Sequence, residues 1–446
     1  MKNKNKESIL IISILMGTTL VPINSTMISV GLSSISSFFH DSISSIAWVV
    51  TIYLIVMAVT QPISGKLGDI YGYRTVYMWG LAFFFIASIA CAFSFNLLWL
   101  IIFRSLQAVG GALITPNGMA IARYTVSREK LPKVLGILGM GMGLGAAVGP
   151  LLGSALITLW GWKSIFWVNV PFLLFGFFIG LFVIPRVQGS KKSSLDVLGS
   201  IYLAVSLTLL ILLTKSHSIW MSIMSGFIFI IFAILFILRE KRIKSPLIDF
   251  SLFKNRSFSS SNISMLASNF IMYTILLAMP LLLEAQFHFT TKSVGAVMSV
   301  FSLASSIFGF FGGQFASKYG NRKMVTWTFS IITIGTVLLL GINPIHSVFY
   351  LVFALIVTGI GIGLGNSPLQ TAVLESVSKD MSGTASGIFS TFRYFGSIIS
   401  STLLSILTGS IALFILLLIV AACGIVLARG IDQKKDNTKN KMASSQ

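Results

Sequence analysis

Charged residues, and acids above all, are scarce in this sequence. Only 10% of its 446 residues are charged, whereas about 25% is usual in soluble globular proteins. This scarcity, with a hydrophobic content of 55%, excludes a soluble enzyme and predicts a polytopic protein of the lipid bilayer. The sequence has 12 acidic and 32 basic residues, for a net charge of +20. Because long apolar runs separate the basic residues, we expect no nucleic-acid partner.

Cysteines and nucleotide-binding motifs are also lacking. The two cysteines, Cys91 and Cys423, each lie inside an apolar run. This placement argues against a disulfide framework and a thiolate metal site, and we predict no metal. No G-x-x-x-x-G-K-[ST] phosphate-binding loop occurs, so we do not expect an ATP-driven pump within this chain. Since no set of residues supports catalysis either, the sequence predicts neither an enzyme nor a cofactor.

Long apolar runs recur along the whole chain. A bilayer core of about 30 Å requires about 20 apolar residues per helix. We count fourteen runs of this kind, at 8–30, 46–64, 75–94, 97–121, 134–158, 165–184, 197–214, 218–238, 258–283, 293–316, 324–341, 347–366, 383–406 and 409–428. In the resulting topology, 27 of the 32 basic residues fall on one side and 3 on the other, while Arg104 and Arg393 lie within spans. The positive-inside rule therefore predicts that both termini are cytoplasmic.

A ten-residue segment occurs twice. Gly65–Arg74 recurs 248 positions later as Gly313–Arg322, and each copy lies in a predicted cytoplasmic loop after the second span of a six-span block. Internal duplication, with the substrate near the midplane between the repeats, is typical of secondary transporters. We predict an all-α membrane protein with an N-terminal six-helix half (1–190), two inserted helices and a linker (191–257), a C-terminal six-helix half (258–430) and a disordered cytoplasmic tail (431–446).

The first copy of this segment carries glycines for a tight turn, a carboxylate at Asp69 and a cation at Arg74. Its position and its repetition resemble the signature loop of the major facilitator superfamily. The resemblance implies that Gly65, Asp69, Gly72 and Arg74 form a conformational latch. Asp69 would meet the start of a helix from the other half in the outward-open state. The second copy has Ser317 in place of the carboxylate, so the first copy is expected to form the latch.

The fifth predicted span carries glycines at four-residue spacing and a proline: Gly141, Gly145, Gly149, Pro150 and Gly153. This spacing places the glycines on one helix face, where another helix can approach closely, and the proline is expected to bend the helix. The run resembles the antiporter signature of the drug-exporting members of that superfamily.

Two further segments, Trp162–Pro171 and Pro246–Phe258, are similar to segments of the fourteen-span drug:proton antiporter family (DHA2). With the loop and the glycine run, the resemblance covers most of the chain. It implies a monomeric multidrug efflux transporter of the bacterial inner membrane, which exports cationic or zwitterionic amphipathic drugs and dyes in exchange for protons. A transporter of one metabolite, and a receptor or scaffold without flux, remain alternatives.

The proton-coupling site departs from the family pattern. That pattern has an acid in span one, where this chain has Asn24, and an amide does not titrate near neutral pH. Among the 12 acids, Asp41 and Glu284 map toward the outside, so we predict them as proton-coupling candidates. Arg104 joins them, because its place in span four resembles a family arginine implicated in coupling. The alternatives are a wet interfacial glutamate, a helix-capping aspartate and a snorkelling arginine.

Polar and aromatic side chains near the middle of the predicted spans are candidates for drug contact, because a pocket for unlike apolar molecules combines aromatic surface with few polar groups. They are Asn24, Tyr53, Gln107, Asn269, Tyr273, Asn366, Phe392 and Arg393. For Arg393, pocket lining and interhelical bonding both stay open. Since the midplane carboxylate is missing, we expect zwitterions such as fluoroquinolones to be accepted more easily than dicationic dyes.

Overall fold

The structure, a computed structural model, describes residues 2–46, 48–186, 194–215, 219–243, 246–289, 291–341, 347–407 and 411–433. Within these residues the long elements are α1 (Lys2–Met27), α2 (Trp48–Tyr71), α3 (Tyr73–Ala92), α4 (Leu97–Thr125), α5 (Leu131–Trp160), α6 (Asn169–Val183), α7 (Val197–Lys215), α8 (Ile219–Glu240), α9 (Arg256–Phe287), α10 (Thr291–Tyr319), α11 (Asn321–Leu340), α12 (Val348–Glu375), α13 (Ser382–Leu407) and α14 (Ile411–Ala428). Shorter helices lie at Leu32–Phe39, Ile43–Ile46 and Ser164–Trp167. Most of the predicted tail, from residue 434 on, lies outside the described residues.

Each long helix coincides with one of the fourteen predicted apolar runs. Within the described residues, however, twelve helical segments are long and apolar enough to cross a bilayer. The apolar part of α7 is short, at Val197–Leu210, and α13 is rich in serine and threonine. The protein is therefore an all-helical, multi-pass membrane protein with twelve candidate spans, and fourteen crossings stay a prediction.

The segment predicted as a loop between α2 and α3 is helical almost throughout. The helix α2 continues to Tyr71 and α3 begins at Tyr73, so the turn is made at Gly72, whose φ is 89°. Glycine adopts such an angle without the steric strain of a Cβ atom. Gly320 makes the matching turn between α10 and α11, at φ 86°. The predicted loop was too long because the apolar runs were ended at the first charged residues. The helices α2 and α10 continue beyond those residues, to Tyr71 and Tyr319.

A second backbone feature repeats with the same spacing of 248 residues. His40 ends the short helix Leu32–Phe39 in a left-handed conformation, at φ 56°, and His288 ends α9 in the same way, at φ 52°. Left-handed residues other than glycine are uncommon and terminate helices. The duplication is thus visible in the backbone at both ends of the bundle.

The helix packing repeats as well. In the first half, α1 packs against α4, α5 and α6. The helix α4 also packs against α2 and α3, and α3 packs against α6. The same six pairings recur among α9 to α14 in the corresponding order. The two halves meet where α2 packs against α13 and α5 packs against α10. These contacts define two similar six-helix groups; the residue boundaries of the domains stay predictions.

The inserted helices α7 and α8 pack against each other, and α7 also packs against α2 and α13. At their base the Arg239 guanidinium donates to both carboxylate oxygens of Asp196, over 2.7 to 2.9 Å. Burial raises the pKa of the Asp196 carboxyl, but the bonds from Arg239 outweigh this effect and hold the pKa below its usual range. This ion pair therefore joins the two inserted helices at their base. Below, the end of the bundle that holds Gly72 and Gly320 is called the basic end.

Candidate functional site: a cavity between the two halves

A cavity of about 160 Å³ lies between the halves, where α1, α2, α4 and α5 face α9 and α13. It is lined by Val21, Pro22, Ser25, Thr26, Tyr53, Leu54, Met57, Gln61, Thr115, Met142, Ala146, Tyr273, Arg393, Tyr394 and Ser397. Because both halves supply walls, a rocking motion of one half against the other changes access to this cavity.

The walls combine tyrosine, methionine and small hydroxyl side chains, which offer polarisable surface with few fixed hydrogen-bonding directions. Among the lining residues that the structure describes, Arg393 is the one charged side chain, and none is a carboxylate. Its Nε atom is buried and has no hydrogen-bond partner there. The guanidinium carbon lies 5.6 Å from the centre of the Phe389 ring. The cavity is therefore electropositive and apolar.

Three of the eight predicted drug-contact residues, Tyr53, Tyr273 and Arg393, line this cavity. The other five lie outside its lining. The amide of Asn269 donates to the Met265 carbonyl, 3.3 Å away on the same helix. The ring of Phe392 packs 5.9 Å from that of Phe253, next to the segment that enters α9. Asn366 is half-buried in α12. Asn24 and Gln107 instead accept hydrogen bonds from Arg104.

Sequence reasoning missed Met57, Gln61 and Tyr394, among other lining residues. A signal was present, since Tyr53, Met57 and Gln61 are four residues apart and therefore share one face of α2. Once Tyr53 is chosen, that spacing selects the other two.

Arg104 lies away from the cavity and is fully buried, with 0% of its surface exposed. Its Nη1 atom donates to the side-chain oxygens of Asn24 and Gln107, while the Gln107 amide donates to Ser88 Oγ over 2.7 Å. The guanidinium carbon lies 4.3 Å from the centre of the Tyr53 ring. A snorkelling side chain would reach the surface, so that alternative is wrong. Amide oxygens and an aromatic face thus hold this cation, and its role in proton coupling stays a prediction.

Asp69 joins the two halves at the basic end. It accepts hydrogen bonds from the backbone N–H groups of Gly383 and Thr384, each over 2.9 Å, and from the hydroxyl groups of Thr384 and Tyr73. Gly383 and Thr384 form the first turn of α13, where unpaired N–H groups and the helix dipole favour a negative charge. The contact has the geometry that the signature-loop resemblance implies, and a latch function for it stays a prediction.

Close packing surrounds Asp69. A Cβ atom at Gly65 would collide with the Gly383 backbone, and one at Gly383 would collide with Gly65. On the other side of the contact between the halves, the Ser367 hydroxyl donates to the Pro132 carbonyl over 2.6 Å. Arg74 instead stays within its own half, where it donates to the Leu181 carbonyl. The basic end of the bundle is therefore closed in this conformation.

One ion pair between the halves adds to this closure. Arg128 of the first half pairs with Glu375 of the second over 3.0 Å. The side chain of Asn321 donates to the other oxygen of Glu375 over 3.2 Å. The guanidinium is largely exposed, so this pair contributes less than the buried bonds of Asp69.

The glycine run of α5 packs against α1. A Cβ atom at Gly149 would lie 3.0 Å from the Ile23 carbonyl oxygen and would collide with the Thr26 hydroxyl. One at Gly153 would lie 2.8 Å from the Met27 carbonyl oxygen, and Gly141 and Gly145 meet side chains of α1 in the same way. Pro150 is half-buried within the same helix. The glycines therefore allow close approach within one half, beside the cavity wall.

Asp41, one of the two acids predicted for proton coupling, lies outside the described lining of the cavity. Asp41 is exposed, and the capping role considered for it belongs to Ser42, whose hydroxyl accepts from the Ser45 backbone over 3.1 Å. Glu284 lies near the end of α9, and its side chain falls outside the described residues. Neither proton-coupling assignment is tested by this geometry.

Comparison with known proteins shows which family this chain matches. The model of the Major Facilitator Superfamily matches residues 14–401 and, in a second match, 261–444. The uncharacterised MFS-type transporter YvkA of Bacillus subtilis is 49% identical over 437 residues, which cover 98% of each chain. The riboflavin transporter RibZ of Clostridioides difficile is 30% identical, over 86% of this chain and 84% of that protein. Multidrug resistance protein 3 of Bacillus subtilis is 28% identical, over 88% of this chain and 78% of that one. The human organic anion transporter MFSD10 shares the fold, with a TM-score of 0.69 at 15% identity over 95% of this chain and 99% of that one.

Proposed function

Because this chain belongs to the Major Facilitator Superfamily and is a transporter rather than an enzyme, we propose that it is a proton-coupled multidrug antiporter. It exports amphipathic drugs and dyes of the fluoroquinolone, acridine or ethidium type from the cytoplasm of a bacterium. The observation that carries this proposal is the cavity between the halves, with its tyrosine, methionine and hydroxyl walls. Such walls hold unlike aromatic molecules without demanding one hydrogen-bond pattern.

Alternating access follows from the contacts at the basic end. The Asp69 bonds to α13 hold that end closed while the cavity lies deeper between the halves. Pockets for drug-sized molecules usually measure about 300 to 1,000 Å³, so the cavity of about 160 Å³ must widen at the opposite end to admit or release a drug. We infer that this conformation leads to the outward-open state and that breaking the Asp69 bonds opens the cytoplasmic side.

Proton influx supplies the driving force, at about 2.3 kcal/mol per charge for each 100 mV of membrane potential, plus the pH-gradient contribution. The candidates for the proton carrier are Glu284 and Asp41, with Arg104 as a group that responds to protonation nearby. No carboxylate lines the described part of the cavity.

A narrow transporter of one metabolite is the second candidate, because RibZ, named for one vitamin, is as similar to this chain as the multidrug proteins are. Purified protein in proteoliposomes with an imposed pH gradient distinguishes the two. We expect a fluoroquinolone, an acridine and ethidium each to move against its gradient and to compete with the others, and a protonophore to stop this movement. Movement of a single compound without competition would support the metabolite transporter. Absence of movement for all three compounds would contradict the multidrug antiporter and leave the metabolite transporter standing.

A further inference from the structure

We propose that Arg393 binds the carboxylate of aromatic substrates inside the cavity, so that the cavity prefers acids and zwitterions to permanent cations. The assignment rests on the proposed function, because it names the substrate class of that same site. It ranks the exported compounds, with carboxylate-bearing fluoroquinolones first and permanently cationic dyes last.

Arg393 lacks a partner of opposite charge among the described lining residues. It lies in the cavity wall, no carboxylate accompanies it among the described lining residues, and its buried Nε has no hydrogen-bond partner there. Removing a guanidinium from water is costly unless its N–H groups are bonded, and such residues in membrane proteins mark substrate pathways. A substrate carboxylate fits the guanidinium fork with two parallel hydrogen bonds and neutralises its charge.

Arg104 offers a comparison within the chain. It is fully buried, and although its Nη2 atom has no hydrogen-bond partner, its other N–H groups meet Asn24, Gln107 and, at 3.5 Å, the Val49 carbonyl. Arg104 is therefore a cation that the protein itself accommodates. The described residues around the Arg393 guanidinium are aromatic: Phe389, whose ring centre is 5.6 Å away, with Tyr273 and Tyr394. None of them carries a negative charge, so Arg393 is left for a ligand.

The rest of the cavity suits an aromatic zwitterion. Tyr53 and Met57 of the first half lie across from Arg393 and offer flat, polarisable surface for an aromatic ring system. The Oε1 atom of Gln61 is buried without a partner and is free to accept an N–H from the basic group of a zwitterion. A permanent cation would meet Arg393 with no carboxylate to offset the repulsion.

The test compares a fluoroquinolone with its methyl ester, which removes the carboxylate charge and leaves the ring system intact. Equilibrium binding is measured on the purified full-length protein in detergent, for the wild type, Arg393→Gln and Arg393→Lys. In the bound acid, a hydrogen-bonded charge pair with Arg393 takes the place of the carboxylate's hydrogen bonds to water. For this reason we expect the wild type to bind the acid about 10- to 100-fold more tightly than the ester. Arg393→Gln should abolish this preference, because binding of the acid falls toward the affinity of the ester. Arg393→Lys should keep part of it, since the charge remains but the fork is lost.

Equal wild-type affinities for acid and ester would overturn the proposal, and this comparison needs no variant. A preference that persists in Arg393→Gln would overturn it too. If Arg393→Gln lost ester binding through misfolding, Arg393→Lys would decide, and an undiminished preference there would count against Arg393. Binding in detergent requires no proton gradient, so acid-selective binding without gradient-driven transport would refute the proposed function and leave the Arg393 assignment standing.

Discussion

Replacing Asp69 with asparagine should release the basic end of the bundle. Each carboxylate oxygen accepts two hydrogen bonds: one receives Tyr73 and the Gly383 N–H, the other both donors of Thr384. An asparagine side chain has one oxygen in place of two, so two of the four donors lose their acceptor. The negative charge is lost as well. The hydroxyl donor of the lost pair can turn to accept, whereas the backbone N–H cannot.

The magnitude follows from these bonds. A hydrogen bond to a charged group contributes about 1.5 to 3 kcal/mol. Losing two of them, with partial compensation by the hydroxyl, destabilises the closed basic end by about 3 kcal/mol, which corresponds to about a 100-fold larger open population. The loss of the favourable helix-dipole contact adds to this effect.

Thiol labelling measures this population. Ser386 is buried on α13 between Gly383 and Gly387, which both pack against the backbone of α2. We therefore expect a cysteine there, in a Cys91→Ser, Cys423→Ser background, to react when the basic end opens. We expect Asp69→Asn to accelerate labelling by about two orders of magnitude. The matched control is Asp380→Asn, which removes an exposed charge just before the same helix without removing these bonds. Unchanged labelling in Asp69→Asn, or equal acceleration in Asp380→Asn, would refute the reasoning.

Three further predictions concern α5, the buried arginine of α4 and the proton path. Gly149→Val should lower the melting temperature by several degrees, because its side chain collides with α1, while Gly139→Ala, which would meet no atom within 4 Å, should change it little; equal effects would contradict the packing argument. Asn24→Asp should give the buried arginine a charged partner and make export of cationic dyes more efficient, measured as dye efflux from vesicles, and unchanged efflux would oppose this. Glu284→Gln combined with Asp41→Asn should reduce drug-induced proton flux, and an undiminished flux would exclude both acids.

The positions of the helices were predictable because each apolar run is as long as the bilayer core is thick. The repeat was also predictable, since the glycines of its two tight turns recur 248 residues apart. Where the helices end was not, because Gly65–Tyr71 reads as polar and yet continues α2 in helical form. Hydropathy indicates where a helix leaves the lipid, whereas backbone hydrogen bonding determines the residue at which the helix ends.

The lining of the cavity was less predictable than the helices. Rare polar residues in apolar helices were chosen as drug contacts, and Asn24 and Gln107 turned out to hold Arg104. A polar residue within a membrane helix needs a partner, and the sequence does not say whether that partner is a ligand or another helix. The contact of Asp69 with α13 was expected from a family resemblance, since no pattern in the residues themselves pairs positions 314 apart.

The central claim is that one cavity between the halves serves unlike drugs, and filling that cavity tests it most directly. Ala146 lines it on α5, and a tryptophan there leaves no room for a drug in about 160 Å³. The measurement is gradient-driven transport of a fluoroquinolone, an acridine and ethidium in proteoliposomes containing Ala146→Trp, with folding checked by the melting temperature. The account predicts that transport of all three is lost together. Undiminished transport of any of them by the folded variant would contradict it.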